Sequence, residues 1–348
     1  MSLHHTVGYC ARIARKYEVE LLKYEVDFMR RVTFTLILMS FVTASFAQSP
    51  SPVASGEASV QGVNVIDAAQ LLADVKTLAD DSMEGRKAGT PGGARARAYI
   101  VGRFKDVGLK PFGASFEQHV KLSEEKDGAR DGANVVGYVA GKTEPNLYLV
   151  VTAHYDHLGV KGGKIYNGAD DNASGVAALL QLASYFSRHQ PAHSVVFAAL
   201  DAEEGSGAGA KTFVGVPHVE KKNIVLDINL DMVSHSDRGE LYAAGAHPYP
   251  FLRPYLEQAA AHATVKLLLG HDDPKLGHDD WTFQSDQGAF HREHIPFVYF
   301  GVEDHKDYHQ PTDDFDTITP DFFARAAATI LETAKLLDAN LKTIQSAR

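Results

Sequence analysis

The sequence predicts an α/β fold, a single three-layer domain in which a mixed, mostly parallel central sheet is flanked by helices. Three observations predict it. Leu147–Ala153 and Val195–Leu200 are apolar runs of strand length, and each stops at a polar cluster: His154-Tyr155-Asp156 after the first, Asp201-Ala202-Glu203-Glu204 after the second. Between them Asp170 and Asp171 open a helix of about four turns, with Val176, Leu179, Leu180 and Ala183 on one face. Strand, helix and strand in that succession make a crossover between parallel strands.

The remaining elements follow in order. Ile66–Leu78 reads as a helix, with Ala69, Leu72 and Val75 spaced for one face. Gly85–Gly93 is turn-rich, and a helix over Ala94–Val107 is stopped by Gly108. Phe116–Leu122 and Ala133–Val139 alternate as antiparallel strands near a sheet edge do. Ile224–Leu230 is a strand ending at Asp231, Glu240–Ala244 a short strand, Tyr249–Ala261 a helix and Val265–Leu269 another strand. His271–Asp286 is a polar loop holding the single tryptophan, Trp281. Phe297–Gly301 is a buried strand, and a polar loop then leads to His309. A helix from Asp321 to Leu341, led by Pro320, closes the chain. There is no internal repeat, and residues 63–348 read as one catalytic domain.

The N-terminal part has a different character. Met29-Arg30-Arg31, the apolar run Val32–Val42 and Ser45-Phe46-Ala47 have the layout of a secretory signal over 29–47, cut before Gln48. Residues 1–28 would then be an upstream extension or a misassigned start, and 48–62, rich in Ser, Pro, Ala and Gly, a flexible lead-in. The competing expectation is a membrane anchor at 32–47. Export to the periplasm or medium is the expected location, with no stable membrane association after signal removal. Cys10 is the only cysteine, so the exported part has neither a disulfide nor a thiolate ligand.

Composition bounds the function. With 45% apolar residues in 348, the chain can bury a sizeable core. The net charge of −10, with no Lys/Arg stripe to offset it, argues against nucleic-acid binding.

Four strands end in potential metal ligands: His154 with Asp156, Glu203 with Glu204, Asp231, and, after the last loop, His309. Asp170 and Asp171 add carboxylates at the head of the crossover helix. Any of them alone has a plainer explanation as a helix cap, a solvated pair or one of 17 histidines. In open α/β sheets, however, ligands gather outside the carboxyl ends of the strands. Two histidines and three carboxylates there suit two Zn²⁺ ions about 3.5–4 Å apart, one carboxylate bridging them. A carboxylate adjacent to a ligand is well placed as general base, which describes Glu203 beside Glu204. Asp156 can accept the second ring N–H of His154.

The chain resembles the co-catalytic di-zinc aminopeptidases of the aminopeptidase Y and bacterial leucyl aminopeptidase type. The resemblance runs from about Ala79 to the end, through EGRKAGTPG, HYDHLG, NGADDNASG, DAEEG, NLDMVSH, SDQGAF with Ile295-Pro296, and YHQPTDDFD. It implies a zinc-peptidase fold, two Zn²⁺ per chain and a secreted enzyme that removes N-terminal residues from peptides with a free N-terminus. It also implies roles: Asp171 bridges, His154 and Asp231 complete one zinc, Glu204 and His309 the other. Glu203 then serves a metal-bridging hydroxide as base, Asp156 supports His154, and Tyr308 meets the developing oxyanion. Glutamate carboxypeptidases and glutaminyl cyclases share the fold and are the alternative activities; a non-catalytic binding module is a third. Two departures, GSGAGAK after the Glu-Glu pair and SDQ where many relatives have Ser-Asp-His, touch the substrate pocket rather than the metal ligands.

Overall fold

The computed structural model describes residues 65–122 and 131–348. The expected upstream extension, signal and lead-in at 1–62 lie outside these residues. Among the described residues no helix is long and apolar enough to cross a membrane.

The chain forms α1 (Ala68–Leu78), α2 (Pro91–Asp106), β1 (Glu117–Lys121), β2 (Asp131–Val139) and β3 (Glu144–His154). A hairpin of β4 (Gly159–Lys161) and β5 (Lys164–Tyr166) precedes α3 (Gly175–Arg188) and β6 (His193–Leu200). Next come α4 (Glu203–Ser206), α5 (Ala208–Gly215), β7 (Ile224–Leu230), β8 (Glu240–Ala244), α6 (Arg253–His262) and β9 (Lys266–Leu269). The last elements are α7 (Gln287–Arg292), β10 (Phe297–Gly301), α8 (Pro320–Ala339) and α9 (Leu341–Ala347).

Eight strands make one sheet in the order β1-β2-β6-β3-β7-β10-β8-β9. The middle four, β6-β3-β7-β10, are all parallel, while β1-β2, β2-β6 and β10-β8 run antiparallel. The sheet is therefore mixed and mostly parallel, as expected. Because side chains alternate across a strand, the two apolar runs split between two cores. Leu149, Val151, Val195, Phe197 and Ala199 pack with α1, α2, α3 and α8 on one face. Val150, Val196, Ala198 and Leu200 pack with Phe213 of α5 and Phe290 of α7 on the other. Burying such a Val, Leu or Phe side chain is worth about 1.5–3 kcal/mol, so these two cores give the sheet its rigidity.

Local chemistry explains where elements begin. Helix α2 starts at Pro91 rather than Ala94, because the Thr90 hydroxyl accepts the Gly93 N–H and Pro91 takes the first helical position. The crossover helix is buried all round over Gly175–Ala183, not on one face alone, since α1 and α8 cover the side away from the sheet. The β4–β5 hairpin occupies the stretch between His154 and Asp170, and α7 follows directly on the polar loop 271–286.

The turn-rich segment before α2 holds a fully buried arginine. Arg86 donates to the carbonyls of Tyr155 (2.8 Å), Leu78 (2.7 Å), Gly168 (2.9 Å) and Asn167. Burial draws its pKa down to about 10, against the pull of Asp171 and Asp313. The guanidinium thus ties the segment after β3 to the one leading into Asp170-Asp171. Arg86→Met should leave these carbonyls without donors; at 1–3 kcal/mol for each unsatisfied buried group the loss exceeds about 3 kcal/mol. Urea unfolding of the metal-free protein measures it as a lower midpoint.

Candidate metal centre

The site lies beyond the carboxyl ends of β3, β6, β7 and β10, with one wall from the turn before α3. His154 is the last residue of β3. Its Nε2 is 3.2 Å from Asp231 Oδ1 and 3.4 Å from Asp171 Oδ1. His309 Nε2 is 3.1 Å from Asp171 Oδ2 and 3.1 Å from Glu204 Oε2. The two oxygens of Asp171 thus face two different imidazoles. All five residues expected to hold metal come together, and they divide into two groups that share Asp171.

These spacings test whether zinc fits. Two ligands on one tetrahedral ion, each bonded at about 2.0–2.1 Å, lie roughly 3.3 Å apart. The imidazole–carboxylate separations of 3.1–3.4 Å match that. The electrostatics agree. Burial, then the neighbouring Glu204, raises the Asp171 pKa, and burial with Asp286, Asp231 and Asp156 raises that of Glu203 despite His154. Burial also opposes charge on His309, but hydrogen bonds to Asp171 and Glu204 raise it to about 10. A buried cluster of carboxylates held this close favours a cation among them.

The backbone is bent to aim these groups. Asp170 and Asp171 sit in a single wide helical turn, Ala169–Ser174, not in the regular helix. The Asp313 carboxylate accepts both of their N–H groups, at 2.9 and 3.0 Å. Asn172 donates to the Leu230 carbonyl and accepts from the Met232 N–H, which locks the turn onto the end of β7. Gly168, at φ +58°, must be glycine, because a Cβ there would meet the Asp171 carbonyl and the His157 ring. Ala202, Met232 and His309 also have positive φ. Each precedes, follows or is a candidate functional residue, and each such conformation costs about 1–3 kcal/mol.

Glu203 and Glu204 occupy the first turn of α4 rather than the strand end itself. Asp201 holds this turn, accepting from the Ala133 N–H, the Tyr155 hydroxyl and the Ala202 N–H. Asp156 has another position than expected. The main-chain oxygen of Asp156 takes His154 Nδ1, at 3.2 Å, while its carboxylate stands 3.8 Å from that nitrogen. The carboxylate instead accepts the Glu203 N–H at 2.9 Å. A residue only two positions after His154 can offer its carbonyl more readily than its side chain. Tyr308 stacks on His309, ring centres 4.0 Å apart, and both line the cleft. Burial and then Asp171 push its phenol well above its ordinary pKa, so it remains a donor.

Three residues given no role from the sequence also belong here. His157 Nδ1 is 2.6 Å from Glu204 Oε1 and 3.7 Å from Asp171 Oδ2. The signal was in the sequence, as a second histidine three residues after His154. Asp286, in the SDQ segment, is buried with neither oxygen hydrogen-bonded, and burial with Asp231 raises its pKa to about 7. Asp313, in TDDFD, anchors the bridging turn. Gln287, the residue at the departure from Ser-Asp-His, bonds Asn229 and the Trp281 carbonyl. It therefore acts on the cleft through Trp281, which lines it.

A profile described as peptidase family M28 matches residues 134–334. A probable zinc metalloprotease of Pyrenophora tritici-repentis is 28% identical over 152 residues, 40% of this chain and 35% of that protein. The chain thus spans about a third of the length of the first curated relatives it matches. BSAP, a zinc aminopeptidase from Bacillus subtilis, superposes with a TM-score of 0.60 at 16% identity, over 79% of this chain and 95% of that one. The glutaminyl cyclase of Porphyromonas gingivalis gives 0.62 at 19% identity, over 78% and 98%. At these identities the solved structures share the fold. The family profile covers more than half of the chain and spans most of the residues gathered at the site, so this protein belongs to peptidase family M28, a family of zinc peptidases.

Proposed function

We propose that this chain is an exported aminopeptidase that holds two zinc ions and removes N-terminal residues from peptides. The observation that carries the reading is the pair of donor groups sharing Asp171, with Glu203 lining the same cleft. His154, Asp171 and Asp231 would hold one ion; Asp171, Glu204 and His309 would hold the other. Bound there, zinc would supply Lewis acidity and activate water.

The chain's own groups do the rest. Burial and acidic neighbours give Glu203 a carboxylate with raised proton affinity, suited to taking a proton from water and returning it to the leaving amine. Asp156 keeps it in place through its backbone N–H. The Tyr308 phenol donates toward the oxyanion. Met232, Trp281 and Val302 line a cleft of about 230 Å³ and receive the N-terminal side chain, while the acidic rim, Asp304 included, attracts the free amine. The segment 29–47 supports export.

Aminoacyl-nitroanilides, each with a free or acetylated amine, test this before and after chelation. Free-amine substrates should be cleaved, blocked ones spared, and activity should return with zinc. Hydrolysis of blocked substrates overturns the aminopeptidase reading. Cyclisation of N-terminal glutamine without nitroanilide release replaces it with the cyclase, which shares the fold.

A further inference from the structure

Beyond the catalytic cleft, His235, His305 and Asp307 bring one donor atom each to within 4.8 Å of one another. We propose that they form an additional divalent-metal site, of the zinc class, that ties together the two loops carrying Asp231 and His309. Two of the three residues carry a buried polar atom without a partner: His235 Nδ1 and Asp307 Oδ2 make no hydrogen bond. Their residues are 9% and 5% exposed, so water does not make up the loss. A buried polar atom left unsatisfied carries its full desolvation penalty, and an ion between these two removes it.

The third donor is prepared in the way metal-binding histidines are. His305 Nε2 lies 3.1 Å from Asp170 Oδ2. The other oxygen of Asp170 is fixed by the Ser234 N–H and hydroxyl, both at 2.7 Å. A carboxylate holding one ring nitrogen sets the tautomer and leaves the other as a lone pair. That other nitrogen, Nδ1, accepts only a long bond, 3.3 Å, from the Asp307 N–H. Asp307 is positioned in turn by Thr312, whose hydroxyl donates to Oδ1 at 2.8 Å and leaves Oδ2 free.

Two imidazoles and one carboxylate select a borderline ion such as Zn²⁺ over Ca²⁺ or Mg²⁺, and the adjoining pocket gives a water access to the fourth position. The two rings now stack 3.9 Å apart at 9°. Each lone pair lies in its ring plane, so ion entry opens that stack. The consequence for the enzyme follows from chain position. His235 leaves β7 four residues after Asp231; His305 and Asp307 precede His309; Asp170 neighbours Asp171. One ion here braces three of the segments that shape the catalytic centre.

The test counts zinc. The chelator-stripped full chain is dialysed against buffered Zn²⁺, alongside His235→Gln and Asp307→Asn, and bound metal is measured by mass spectrometry. Wild type should hold one equivalent more than either variant, with affinity for that equivalent at least about tenfold weaker in each. The difference is independent of how many ions the Asp171 centre takes, so a failure of the two-zinc reading leaves it intact. Equal metal content in wild type and both variants overturns the site. Zinc-edge anomalous diffraction from wild-type crystals needs no variant. A peak among His235, His305 and Asp307 supports the site, and peaks confined to the Asp171 centre overturn it.

Discussion

Asp171→Asn should abolish activity and lower zinc content at both positions together, where any other ligand change lowers mainly one. Asp171 is the carboxylate common to the two donor groups, with Oδ1 toward His154 and Oδ2 toward His309. An amide offers one acceptor oxygen and turns an N–H₂ toward the other side. One ion then loses its charge-neutralising ligand, and the other faces an N–H₂ where it needs a lone pair. Even groups that merely support a ligand are worth about 10–100-fold in metal affinity, so the shared ligand should cost at least that at each position. Asp231→Asn should behave differently, weakening the His154 group and sparing the pair Glu204–His309. Metal analysis of the two variants after dialysis separates them. Retention of two full equivalents by Asp171→Asn would remove it as the bridge.

The second large effect sets two adjacent residues apart. Glu203→Gln should keep metal content while reducing kcat by about 10²–10⁴, the usual worth of a general acid–base group. The amide matches the carboxylate in shape, and the Glu203 N–H bond to Asp156 is backbone, so the turn stays in place. Glu204→Gln should instead release zinc from the His309 group, and part of its deficit should recover when zinc is added. The geometry separates the two. Both oxygens of Glu204 are engaged, Oε1 by His157 and Oε2 by His309. Hydrogen bonds from those histidines hold its pKa far below the ordinary range in spite of burial. Glu203 has the opposite shift, upward, through burial and its acidic neighbours. Had Glu203→Gln lost metal and Glu204→Gln kept it, the assignment across the pair would be reversed.

Much of the fold and of the centre is legible in the amino-acid sequence. The parallel centre of the sheet follows from apolar runs ending in polar clusters, because a strand buried on both faces must be apolar throughout and can carry chemistry only where it leaves the sheet. The same reasoning places His154 and Asp231 at strand ends. The short helical turn under Glu203 and the wide turn around Asp171 are not legible. Both are held by distant partners, Asp201 with Tyr155 and Asp313 with two backbone N–H groups, and local propensity carries no trace of contacts that span tens of residues or more than a hundred.

What the sequence determined by itself was therefore the fold class, the family resemblance and the set of candidate ligands, all of which depend on short-range pattern and order along the chain. The tertiary structure decided which atom of each residue does what. It gave Asp156's carbonyl to His154 and its carboxylate to Glu203, brought His157 against Glu204, and buried Asp286 with no partner. At His154 Nδ1 the competing acceptors stand at 3.2 and 3.8 Å. Only the packed chain, with its sheet rigid and Arg86 tying two loops together, resolves differences that small.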